Sequence, residues 1–264
     1  MANPSYRGGL HPGATVGDDE RALHRHTRER VTASGLDTPM TARPISSELA
    51  PLVVGLDFVG GRRGPDLREL AELLPPGCRF SVVTPESAAT VEVVARQLVV
   101  DGPPDVLVAA CAAAPVIEAV AEALGSHPLV VEIDPVLTSI EDVVRELSET
   151  AARVGAPPIG LGIDARTLSR RQVEDLVGGW APAIAATAHL DAESPDVLAL
   201  LDRYMTWFDF LLLAASASAA EHATSRCAVF SSDAGQRART AALRDPVVRE
   251  ELRDFLDAEI GPAA

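Results

Sequence analysis

Cys111 is the residue best placed by its neighbours to do chemistry. It stands in PDVLVAACAAAP, residues 104–115, where a short apolar β-like run meets a helix built of small residues. Strand, sharp turn, helix, with a nucleophile at the turn, is the shape of a nucleophile elbow, whose usual pattern is G-x-S-x-G. Here the five positions read Ala109-Ala110-Cys111-Ala112-Ala113. The turn holds such a side chain above the sheet, and the N-terminus of the following helix favours a thiolate. Attack on an activated acyl carbonyl would move the acyl group to Cys111, and water or an internal nucleophile would then release it. The backbone N–H of Ala112, next after the nucleophile, is the natural donor to the oxyanion. Alanine replaces glycine at 109 and 113, the next smallest choice at a crowded turn. The competing reading is that Cys111 is a small buried hydrophobe.

An acid to orient a base has two candidates. Asp134 ends the strand LVVEI, and Asp233 follows the strand RCAVFS within the turn-like SSDAG. In a parallel sheet both strand ends reach the edge that carries Cys111. A base is harder to find, because the chain has no histidine after His222. His127 and His222 precede strands, which puts them at the opposite edge. His189 lies in the helical section that grows from the correct edge, so it is the histidine able to reach Cys111; surface or helix packing is its other reading. Trp207 and Phe208 sit together on one long apolar helix and cannot face the same way. One of them can line a substrate channel, and packing within the helices is the alternative.

The elements that must position these residues follow a regular order. From Pro51, apolar β-branched runs alternate with helical stretches: PLVVGLDF, a helix in PDLRELAELL, a strand at 79–83, a helix at 88–100, the strand into Cys111, a helix at 113–124, and LVVEID. That alternation predicts βαβ units and a doubly wound, mostly parallel sheet. The alternation weakens at about 138–222, where helices at 139–154, 169–176 and 196–215 predict a helical lid insertion. RCAVFS and the helix 246–260 close the chain. Residues 1–46 are rich in Gly, Pro and charged groups and predict a flexible arm ahead of one domain over 47–264.

The order of these parts resembles the thioesterases of polyketide and non-ribosomal peptide biosynthesis, over about residues 51–260. LDFVGG at 56–61 is similar to that family's first-strand GG loop. LVAACAAAPVIEAVAEAL at 107–124 is similar to its elbow and following helix, LVVEIDP at 129–135 to its next strand, and REELRDFL at 249–256 to its closing helix. The resemblance implies an α/β-hydrolase-like fold and a second oxyanion amide from Val59 or Gly60. It also favours Asp134 as the acid, and an acyl or peptidyl thioester on a phosphopantetheinyl carrier protein as substrate and partner. It implies no cofactor. The family histidine that follows the last strand has no counterpart here, so hydrolysis or cyclisation stands beside a second expectation. That is a non-hydrolytic, thioesterase-like protein that binds a pathway intermediate or carrier, or assists a cyclisation or epimerisation.

Composition sets the outer bounds. The chain has 264 residues and a formal charge of −15. That acidity excludes nucleic acid as the main partner. No apolar run approaches a membrane span and the N-terminus is not signal-like, so a cytoplasmic location is expected. Three cysteines without a CxxC pair suggest neither a disulfide framework nor a metal site.

Overall fold

The computed structural model describes residues 50–58, 67–85, 90–99, 102–158, 168–220, 226–231 and 242–261. The expected arm at 1–46 lies outside them.

Among the described residues, five strands form one all-parallel sheet: β1 (Leu52–Leu56), β2 (Arg79–Val83), β3 (Val106–Ala110), β4 (Leu129–Ile133) and β5 (Cys227–Phe230), in the order β2-β1-β3-β4-β5. The strands are short apolar runs because both faces are covered. On one face Leu52, Val54, Leu56, Leu107, Ala109 and Val130 join a core with α1 (Val91–Leu98) and α2 (Ala114–Leu124). On the other, Val53, Val106, Val108, Val131 and Ile133 meet the short helix Leu67–Glu72 and α7 (Pro246–Ile260). Gly55 faces this second side, where a Cβ would come within 3.4 Å of Leu67 and Val82 side-chain carbons. Its missing side chain lets the short helix lie close to the sheet.

The predicted doubly wound α/β architecture is thus present in its coarse form. One expected helix differs in kind: 67–72 is a 3-10 helix. Leu67, Leu70 and Leu73 are all buried. A spacing of three puts them on one face when there are three residues per turn, and on a drifting face at 3.6.

The helical section comprises α3 (Ile140–Arg153), α4 (Arg170–Gly178), α5 (Ala181–Ala188) and α6 (Pro195–Ala219). Its buried side chains, among them Leu147, Val173, Ile184 and Phe208, belong to the same core as α2. Asp209 of α6 is buried and receives both arms of the Arg170 guanidinium, at 2.8 and 3.0 Å. This bidentate pair fixes the start of α4 to α6. Among the described residues, no helix is long and apolar enough to cross a membrane.

Candidate active site

β3 runs straight into Cys111, whose φ is 53°. The chain then makes the 3-10 turn Cys111–Ala113 and enters α2. A left-handed conformation is rare for a residue with a Cβ. Here it turns the backbone sharply between strand and helix and leaves Cys111 half-buried. Ala113 is buried in the core and Ala114 beside it is also buried, so the turn has room only for small side chains. None of the three cysteines is in a disulfide.

Asp134 immediately follows β4, the neighbour of β3, and is also left-handed, with φ 45°. Its N–H donates to the Phe230 carbonyl at 2.8 Å, which holds the ends of β4 and β5 together. Two residues on, the Val136 N–H donates to the Cys111 carbonyl at 3.1 Å. The Thr138 N–H donates to Ser218 Oγ at 3.0 Å, near the C-terminus of α6. The loop 134–138 is therefore strapped to the elbow at one point and to α6 at another. The structure brings Cys111, Ala112 and the Asp134 loop together at one sheet edge.

That edge is also where the strand order reverses. From β1 the chain goes to β2 on one side, then crosses to β3 on the other, so the crevice between the ends of β1 and β3 is a topological switch point. Phe58 stands just past β1 and Cys111 just past β3. The Phe58 ring stacks on Phe210 with centroids 3.7 Å apart, and Trp207 packs on Phe210 at 5.4 Å. Trp207 is half-buried in this aromatic group. Phe208 points elsewhere: it is fully buried and meets Trp180 edge-on at 5.9 Å. Of the adjacent pair, Trp207 is the one on the side of the β1 end.

His189 sits at the C-terminus of α5 with φ 57°, where its N–H bonds the Ala185 carbonyl. It is exposed, and among the described residues no hydrogen bond ties its imidazole to Cys111. Val59 and Gly60, the second oxyanion candidates, lie outside the described residues, as do Asp233 and His222. Two residues at this edge escaped the sequence reading. Phe58 had a signal, an aromatic at the end of a strand and just before a glycine-rich loop. Leu137, 53% exposed in the loop after Asp134, had none.

No protein-family model matches the sequence, and a search of curated proteins finds no match.

Proposed function

We propose that this protein handles acyl or peptidyl thioesters of natural-product biosynthesis, carried on a phosphopantetheinyl protein, and that Cys111 accepts the acyl group. The observation that carries the reading is the left-handed Cys111 at the switch-point end of β3. Backbone strain of this kind costs of order 1–3 kcal/mol and clusters at functional positions. A buried packing cysteine needs no such conformation. In the proposed step the Cys111 sulfur attacks the thioester carbonyl and the pantetheine thiol leaves. The Ala112 N–H and one from Val59 or Gly60 donate to the oxyanion. Water or a substrate nucleophile then breaks the new thioester. The α/β-hydrolase-like fold and a cytoplasmic setting belong to the same proposal.

Asp134 and His189 are the acid and base of this reading. His189 caps α5 in the open, and Asp134 stands on the strapped loop, so acyl transfer to Cys111 is expected to outrun release. A thioesterase-like binding protein is the second reading, favoured by that same exposed histidine.

The test is incubation of the full chain with acyl-pantetheine probes, followed by intact-protein and peptide mass spectrometry. An acyl adduct on Cys111, absent from Cys111→Ala, is expected. Adduct formation without turnover would favour the binding reading. No adduct, with Cys111→Ala binding probes as well as wild type, would overturn a role for the thiol.

A further inference from the structure

A second cluster of reactive side chains lies inside the fold, between α2 and the sheet. Glu118 comes from the second turn of α2, Glu132 from β4 and Cys227 from the first position of β5. Val130 pairs with Cys227 in the ladder, and Glu132 is two residues beyond Val130 on the same strand face. That face is the one α2 covers, as the shared core of Val130, Cys227 and α2 residues shows. One oxygen from each carboxylate and the Cys227 sulfur all lie within 4.8 Å of one another. Glu118 is 8% exposed and Glu132 5%, while Cys227 is half-buried on the edge strand of the sheet.

The chemistry of this set is specific. An ionised carboxylate taken out of water costs several kcal/mol, and two side by side repel each other. A cation held between them offsets both charges at once. The Cys227 thiol adds a soft donor as third member. Two hard oxygens and one soft sulfur suit a borderline divalent ion, zinc above all, and disfavour calcium and magnesium. Zinc binds carboxylate oxygen at about 2.0–2.2 Å and thiolate at about 2.3 Å. Tetrahedral donors then stand roughly 3.3–3.8 Å apart, so about 1 Å of side-chain adjustment closes the observed set.

We propose that Glu118, Glu132 and Cys227 form a binding site for a zinc-type divalent metal, which pins α2 to β4 and to the edge strand β5. Binding replaces the thiol proton, which leaves to solvent, with the metal–sulfur bond. The fourth position falls to water or a further donor. The half-buried Cys227 on the edge strand gives the ion its route in. Its test needs no activity.

The full chain, reduced and freed of metal by chelation, is titrated anaerobically with Co2+, and in a second arm with Zn2+. Bound metal is counted by mass spectrometry. About one ion per chain and a thiolate-to-cobalt absorption band are expected. The band should vanish in Cys227→Ser and persist in Cys111→Ser and Cys78→Ser. Glu118→Gln and Glu132→Gln should each weaken binding by roughly tenfold or more. Zinc should raise the melting temperature of the wild type, reversibly with chelator, so a poorly folded variant does not remove the readout. No stoichiometric metal, a band that survives Cys227→Ser, or unchanged binding in both glutamine variants would overturn the site.

Discussion

Cys111, Asp134 and His189 are held left-handed at turning points of the chain, as is His127. The first two end neighbouring strands and meet through the Val136 N–H to Cys111 carbonyl bond. The third ends a helix, a position where glycine is the usual choice because it has no Cβ to crowd the carbonyl. His189 gives up that ease, and its imidazole contributes no hydrogen bond in return among the described residues. His189→Gly should therefore stabilise the protein by about 1 kcal/mol, read as a higher urea midpoint at unchanged slope. His189→Asn keeps a residue tolerant of the left-handed conformation while removing the imidazole. If His189 is the base, the asparagine variant should lose about 100-fold or more in deacylation while still forming the Cys111 adduct. Equal deacylation in both proteins would remove His189 from the mechanism. The strained turn at Cys111 was legible in the sequence, because a β-branched strand ran into small residues and then a helix. The strain at Asp134 was not: aspartate tolerates the left-handed region better than most residues and so carries no glycine to mark it.

Among the elements, α3 has the clearest local code. Ser139 and Asp142 form a reciprocal capping box: the Asp142 N–H donates to Ser139 Oγ at 3.2 Å, and the Ser139 N–H donates to Asp142 at 2.9 Å. Partial burial pushes the Asp142 carboxyl up, but the Ser139 N–H and hydroxyl, with Arg145 beside it, outweigh burial and hold it below its ordinary value of 3.8. A carboxyl lowered in the folded state adds stability above its unfolded value and loses it as pH falls through the folded value. Asp142→Asn should thus be less stable than wild type at neutral pH, and the gap should close as pH falls below 3.8. Ser139→Ala should cost about 1 kcal/mol. Urea titrations at a series of pH values check both; a gap that widens in acid would reverse the sign. Capped helices of this sort are readable from sequence, and the start at Ser139 was. The 3-10 helix at 67–72 was not, because its leucine spacing of three fits the first turns of an α-helix equally well.

At the scale of the molecule, alternation of apolar runs and helices made the parallel sheet legible, but not its order. Which strand lies beside which depends on where each helix crosses, and the switch point between β1 and β3 emerges only from the pairing. The cluster at residues 118, 132 and 227 was illegible for a similar reason. Metal motifs announce themselves by close spacing, and here the donors come from three elements whose meeting depends on sheet order. The same sheet order divides the described residues into two cores, and they are unequal. One face lies under α1, α2 and the helices from α3 to α6, while the other depends on the short 67–72 helix and α7. Val248, Leu252, Leu256 and Ile260 of α7 are all buried. At about 1.5–3 kcal/mol for each side chain, their burial rivals the 5–15 kcal/mol net stability usual for a folded domain. Truncation after residue 244 should therefore uncover Val106, Val108 and Val131 of the central strands and abolish the cooperative transition, even though every group at the Cys111 edge remains in the chain. Dye binding to exposed apolar surface and loss of a sigmoidal urea curve are the readouts. A truncated protein that still unfolds cooperatively near the full-length midpoint would mean that the opposite core, with α2 and α6, holds the sheet and the elbow by itself.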